Sequence, residues 1–203
     1  PDSSYGRPEE RRGTMHAIYA SAFLRIAGEL HERLLMVPPE VDHPGGALAA
    51  YEDDTWVLTA GQLGDDWAPP ADFTELISVA GQFMPEHIGS ALRSAQPLSE
   101  VVTFRYRGGF WRRYDLMARF PAGLLVIGDA VCSLNPIYGQ GMTVAAMQVV
   151  ALRDYLRWTQ LDRPQRFFPT AADQIGPVWA MNQARDRAAS SAHRNKSMAE
   201  RLT

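Results

Sequence analysis

The stretch from Gly123 to Trp158, GLLVIGDAVCSLNPIYGQGMTVAAMQVVALRDYLRW, constrains the fold more than any other part of the chain. Leu124-Leu125-Val126-Ile127 is a short apolar run of branched side chains between Gly123 and Gly128, the pattern of a strand buried on both faces. Gly128-Asp129 ends it. A loop of small and turn-forming residues follows, with Asn135-Pro136 and then Gly139-Gln140-Gly141. From Met142 the residues are helix formers, and Arg153, Asp154 and Arg157 are confined to the last turns. The first half of that helix has almost no polar face, so burial is expected.

The chemistry this segment offers is narrow. Asp129 is placed at the C-terminal end of a strand, where open α/β sheets bind ligands, and its carboxylate can accept hydrogen bonds from ligand hydroxyls. Gly139 and Gly141 let the backbone take positive φ and let a flat ligand come close. A helix starting near Met142 presents unpaired N–H groups and the positive end of its dipole, which favours a ligand with negative character. The loop has no His, Glu or Lys, so it reads as a cofactor cradle rather than an acid–base site.

Gly128-Asp129-Ala130, Pro136 and Gly139-Gln140-Gly141-Met142, in this order and spacing, resemble the second flavin-binding motif of FAD-dependent monooxygenases of the para-hydroxybenzoate hydroxylase type. The wider string ARFPAGLLVIGDAVCSLNPIYGQGMTVAA is similar to the bacterial hydroxylase and epoxidase branch of that family. The resemblance implies that Asp129 holds a ribityl hydroxyl of FAD. It places Pro136 by the isoalloxazine edge and Gly139 to Met142 at the flavin pyrimidine. Many members carry His three residues after the Asp; this chain has Cys132, which is read as a small structural residue.

The remaining composition sets bounds. The 203 residues suffice for one domain or two small ones, and 46% hydrophobic with 21% charged content is ordinary for a globular chain. A net charge of −3 argues against a nucleic-acid surface spread over the molecule. One cysteine cannot form an internal disulfide, and no apolar run approaches a membrane span, so a cytoplasmic location is expected. The chain opens Pro1-Asp2-Ser3-Ser4 without Met and lacks the Gly-x-Gly-x-x-Gly of a Rossmann βαβ unit. The family resemblance therefore implies the second half of a two-domain flavoprotein. Its partner would be the missing N-terminal FAD-binding half, in the same protein or on a second chain.

The expected fold is α/β, a mixed sheet with helices, with an α+β substrate layer. Residues 1–12 read as a linker, 13–107 as a substrate-binding sheet layer, 108–122 as a connector, 123–187 as the C-terminal part of the FAD-binding domain and 188–203 as a flexible tail. Within the layer, Gly13–Ala27 reads as a long strand and Glu29–Met36 as a short helical turn. Ala47–Tyr51 and Thr55–Gln62 form a hairpin around Glu52-Asp53-Asp54. Asp72 caps a helix reaching about Phe83, with Glu75 completing a capping box; a second helix spans Glu86–Ser94, and Leu98–Tyr106 is a strand. Trp56, Phe73, Phe83 and Met84 are core or cavity lining. The five Arg of Arg105–Arg119, interleaved with aromatics, read as Arg stems packed on rings rather than a nucleic-acid surface. Further helices are expected from Pro164 to Asp173 and from Pro177 toward Arg187.

The function expected is that of a flavin-dependent oxidoreductase using FAD, NAD(P)H and O₂ to hydroxylate or epoxidise a hydrophobic organic substrate. Two alternatives remain: an FAD-dependent reductase of isoprenoid double bonds, which shares the Gly-Asp motif, and a non-catalytic substrate or partner subunit without its own nucleotide site.

Overall fold

The computed structural model describes residues 4–40, 42–158 and 166–200. In chain order the elements are β1 (Glu9–Arg12), β2 (Ala17–Arg25), β3 (Leu34–Val37), β4 (Gly45–Ala50), β5 (Thr55–Leu63), α1 (Phe73–Ala80), α2 (Glu86–Arg93), β6 (Gln96–Pro97), β7 (Val102–Tyr106), β8 (Phe110–Arg113), β9 (Cys132–Ser133), α3 (Gly141–Trp158) and α4 (Phe167–Glu200). The chain divides into two compact units, Met15–Arg107 with Ser191–Thr203, and Pro1–Thr14 with Gly108–Ser190. Among the described residues, no helix is long and apolar enough to cross a membrane.

The first unit is built on an antiparallel sheet in the order β3-β4-β5-β2-β6, with β7 also paired to β2. Period-two patterning in β2 explains it: Ala20, Ala22 and Leu24 are buried while Tyr19, Ser21 and Phe23 point the other way. Small residues on the inner face (Ala20, Ala22, Ala60) let α1 and α2 lie close, and Leu76, Ala80, Ile88 and Leu92 fill the space above Leu48 and Leu58. Asp72 caps α1 by accepting from the Glu75 N–H at 2.9 Å, and Glu75 reaches back to the Ala71 N–H at 2.8 Å. The Glu52-Asp53-Asp54 hairpin forms as read, with Asp53 and Asp54 at φ 53° and 54°, a left-handed region that Asp tolerates. Trp56 and Met84 are core, with Phe73 and Phe83 packed beside them; the Trp56 edge also lines an open cavity of about 650 Å³ with Arg25, Ile26, Leu30 and Arg33.

The other face of this sheet carries several exposed apolar side chains. Register places Tyr19 opposite Phe104, Ser21 opposite Val102 and Phe23 opposite Val57. It also sets Met36 opposite Ala47 and Leu34 opposite Ala49 on that same face. Leu34, Met36, Phe23, Val102 and Phe104 are all exposed, Val102 by 66% and Phe104 by 60%.

The second unit holds a three-stranded antiparallel sheet in the order β1-β8-β9. Its core joins Trp111, Val131, Cys132 and Leu134 to Val144 of α3 and to Ile175 and Trp179 of α4. A second cluster packs Phe120 with Tyr155, Phe167 and Phe168.

Several sequence expectations are corrected here. Residues 9–12 are not linker but β1, held to β8 by opposite charges: Arg112 Nε donates to Glu10 Oε2 at 3.1 Å. The connector 108–122 contains β8, a core strand in which Arg112 and Arg113 lie 4.3 Å from the Phe110 and Trp111 rings. Glu29–Met36 forms no helical turn; Leu34–Val37 pairs with β4, because one turn of helix is marginal against a ladder of cross-strand contacts. The strands expected at 13–27 and 98–106 are shorter, and α1 stops at Ala80. Leu124–Ile127 has no ladder partner among the described residues, and Leu124 is 49% exposed. The first half of α3 is not buried either. Among its described side chains only Val144, Gln148, Ala151 and Tyr155 are buried along it, while Met142, Met147, Val149 and Val150 are exposed. In both segments the apolar residues have no covering layer among the described residues. The two helices read after Pro164 are one, α4, which passes through Pro177. Pro177 is exposed, so its missing N–H and ring lie on the outer side of the helix. Residues 188–200 continue α4 rather than form a separate tail; 159–165, with the expected start at Pro164, and 201–203 lie outside the described residues.

Candidate functional site

The Gly-Asp turn follows the extended Leu124–Ile127 segment. Ile127 ends it at φ −137° and ψ 168°, and Gly128 turns the chain at φ 64°. A side chain at Gly128 would be strained there, which is the physical requirement for glycine. The Gly128 N–H donates to the side-chain carbonyl of Gln148 at 2.9 Å, so α3 itself fixes the turn that presents Asp129. Gln148 is 1% exposed, and its Nε2 has no hydrogen-bond partner among the described residues. The chain leaves the turn through β9, whose neighbour β8 clamps it: the Arg112 backbone N–H donates to Val131 O at 2.8 Å and Arg112 Nη1 to Ala130 O at 3.1 Å.

The loop beyond β9 is set by local chemistry. Asn135 Oδ1 accepts from the Ile137 N–H at 3.2 Å and caps a 3₁₀ turn over Pro136–Tyr138. Gly139 ends that turn in the left-handed region at φ 63°. Helix α3 begins at Gly141, its first hydrogen bond running from the Val144 N–H to Gln140 O at 3.0 Å. Its leading N–H groups therefore face outward, as at any helix start.

These elements enclose a cleft of about 300 Å³ lined by Asp129, Leu134, Pro136, Gly139, Gly141, Met142 and Ala145. The Asp129 carboxylate is exposed and lies beside the helix start: a Cβ added at Gly141 would stand 3.9 Å from Asp129 Oδ1. Of the seven residues singled out from sequence, Asp129, Pro136, Gly139, Gly141 and Met142 line this cleft. Gly128 stands behind it against Gln148, and Gln140 is turned toward α4, where Asn182 Nδ2 donates to Gln140 Oε1 at 2.6 Å. Cys132 is buried beneath the site; burial, then the Asp129 charge, pushes its thiol up from 9.0 to about 12. It is a neutral, small core residue. Among the described residues no group of His, Cys, Asp and Glu could hold a metal ion.

Sequence reading missed Leu134, Ala145, Gln148, Asn182 and Asp186. Gln148 carried a usable signal, being the one amide in the apolar stretch of α3 before Arg153. Asn182 and Asp186 carried one too, since both continue the spacing of Ala171, Ile175 and Trp179.

No family model matches the chain. Protein Rv3254 of Mycobacterium tuberculosis is 35% identical over 188 residues, which is 90% of this chain and 40% of that protein. The chain thus spans less than half the length of this relative. Among solved structures, a triple mutant of the flavin-dependent brominase Bmp2 matches 97% of this chain and 58% of its own at 11% identity, with a TM-score of 0.51. The flavoprotein/dehydrogenase from Cytophaga hutchinsonii matches 91% and 56% at 11% identity, with a TM-score of 0.50. PqsL, a probable FAD-dependent monooxygenase from Pseudomonas aeruginosa, matches 90% and 48% at 18% identity, with a TM-score of 0.51. At these identities the likeness is one of fold: the chain has the α/β fold of part of a flavoprotein of this kind.

Proposed function

We propose that this chain is the C-terminal, substrate-side part of a flavin-dependent monooxygenase, and that the cleft at Asp129 holds the isoalloxazine and ribityl end of FAD. The observation that carries the reading is the convergence of Asp129, Pro136, Gly139, Gly141 and Met142 on one cleft at the start of α3. The donor set suits such a ligand. Positive φ at Gly139 leaves a flat approach, and Leu134, Pro136, Met142 and Ala145 give apolar walls. Asp129 offers a carboxylate to ribityl hydroxyls. The leading N–H groups of α3 face negative charge on the ring, a contribution of about 0.3–1 kcal/mol, ~2 where partly buried. When bound, FAD supplies the acceptance of hydride from NAD(P)H and the activation of O₂. The chain's own residues bind and orient it and limit water at its edge.

The exposed apolar side chains of the large sheet, Phe23, Leu34, Met36, Val102 and Phe104, are the wall proposed for a hydrophobic substrate. An exposed apolar surface of that extent marks a ligand site or an interface. The FAD-binding half, in the same protein or on a second chain, is the proposed cover for Leu124–Ile127 and the apolar outer face of α3.

The test is purification of the full-length protein that carries this chain. Yellow colour, stoichiometric FAD and NAD(P)H oxidation that depends on O₂ are the expected results. Oxidation that proceeds without O₂ and saturates an isoprenoid double bond would replace monooxygenation by reduction. A protein that binds no flavin would overturn the reading altogether.

A further inference from the structure

The buried stripe of α4 changes chemistry along its length. Phe168, Ala171, Ile175 and Trp179 are buried and apolar, and the next two positions of the same stripe are Asn182 and Asp186, 1% and 3% exposed. Packing alone would be served by apolar residues there, and a buried amide or carboxylate is costly unless partners take its hydrogen bonds. The loop partners lie in one six-residue segment. Asp186 Oδ1 accepts from the Tyr138 hydroxyl at 2.8 Å and from Asn135 Nδ2 at 3.2 Å. Asn182 Nδ2 donates to Gln140 Oε1 at 2.6 Å and to Val178 O at 3.0 Å. One carboxylate oxygen thus joins the cap and the last residue of the 3₁₀ turn, and one amide holds the residue just before α3. Pro136 and Gly139, which line the cleft, lie between these anchors.

We infer that Asn182 and Asp186 are positioning residues: from behind the cleft they hold the Asn135–Gln140 loop in the shape that receives the flavin. The inference rests on the flavin reading above. Neither residue lines the cleft, so their effect on it passes through the loop. Burial raises the Asp186 carboxyl, while its bonds to Tyr138 and Asn135 pull it back, so an uncharged side chain with the same acceptor oxygen should serve as well.

The experiment uses the full-length protein and four variants: Asp186→Leu, Asp186→Asn, Asn182→Leu and Tyr138→Phe. Hydrogen exchange of the peptide spanning residues 135–141 is measured first, against a peptide from β8 as reference. Titration with FAD follows, with the bound-flavin absorption spectrum recorded. In Asp186→Leu and Asn182→Leu the loop peptide should exchange about tenfold faster or more while the β8 peptide keeps its wild-type rate, and FAD affinity should fall about tenfold with an altered flavin spectrum. Asp186→Asn should behave as wild type. Tyr138→Phe, which leaves α4 untouched, should fall between, and with Asn182→Leu it decides the matter if Asp186→Leu does not fold. Unchanged loop exchange, equal acceleration throughout the unit, or faster loop exchange with unaltered FAD affinity would each overturn the positioning role. Those outcomes leave the flavin reading standing as long as wild type binds FAD; a wild type that binds none refutes both.

Discussion

Asp129→Ala separates a ligand-holding carboxylate from a structural one. The Asp129 side chain is exposed and makes no hydrogen bond or ion pair among the described residues. Removing it from the protein without flavin should therefore change stability by no more than about 0.5 kcal/mol, the usual range for a surface position. In the loaded protein the carboxylate would accept a hydrogen bond from a ribityl hydroxyl, and hydrogen bonds to charged groups contribute roughly 1.5–3 kcal/mol. At 1.4 kcal/mol per tenfold, FAD should bind about ten- to hundred-fold more weakly. The assay is a thermal melt of the flavin-free protein, a titration followed by flavin fluorescence, and turnover at saturating FAD. Unchanged melting, weakened affinity and recovery of turnover at high FAD are expected. Full affinity with lost turnover would make Asp129 a catalytic group. A large fall in melting temperature would make it structural, and either result refutes the reasoning.

The raised Cys132 thiol gives a signed pH dependence. The fold favours the neutral thiol, so this contribution to stability is complete below 9.0 and is lost as pH rises toward about 12; urea midpoints of wild type should fall more steeply than those of Cys132→Ala across that window. Cys132→Ala should also keep turnover within a few-fold, and loss of turnover at normal flavin content would contradict a packing role. Asp72→Ala removes the α1 cap and should cost about 1 kcal/mol in urea unfolding of the chain. Leu58→Ala opens a cavity at a side chain with 0% exposure and should cost about 2–5 kcal/mol, with FAD affinity per folded molecule unchanged.

What could be read from sequence was mostly local. The Glu52-Asp53-Asp54 turn and the Asp72 cap with Glu75 each depend on residues a few positions apart. Their chemistry is complete within the window in which it is read. β1 is the opposite case: Glu9–Arg12 has no apolar pattern, and it is a strand because it pairs with distant β8, where Glu10 lies opposite Arg112, 102 residues away. The polar anchors on α4 were overlooked for a related reason, although their spacing continues that of the apolar stripe. A polar residue on a helix reads as solvent-facing until the register of the whole stripe is known, and that register is set by Phe168, Ala171, Ile175 and Trp179 packing as they do.

The failed expectations of burial carry their own information. Apolar periodicity reports which side chains favour leaving water, not whether a covering layer is at hand. Leu124–Ile127 and the outer face of α3 share that apolar character, and both lie in the unit that carries the Asp129 cleft. Leu124, Ile127, Met142, Met147, Val149 and Val150 are all more than a third exposed. Single exposed apolar residues need no explanation, but two neighbouring segments of one α/β unit left bare together do. A relative of which this chain matches 40% has ample further length to supply a covering layer. Extended apolar backbone beside an apolar helix face is the edge to which parallel strands add in an α/β sheet. On the proposed reading, the layer that would cover Leu124–Ile127 and the outer face of α3 is also the one that would complete the flavin site begun at the Asp129 cleft.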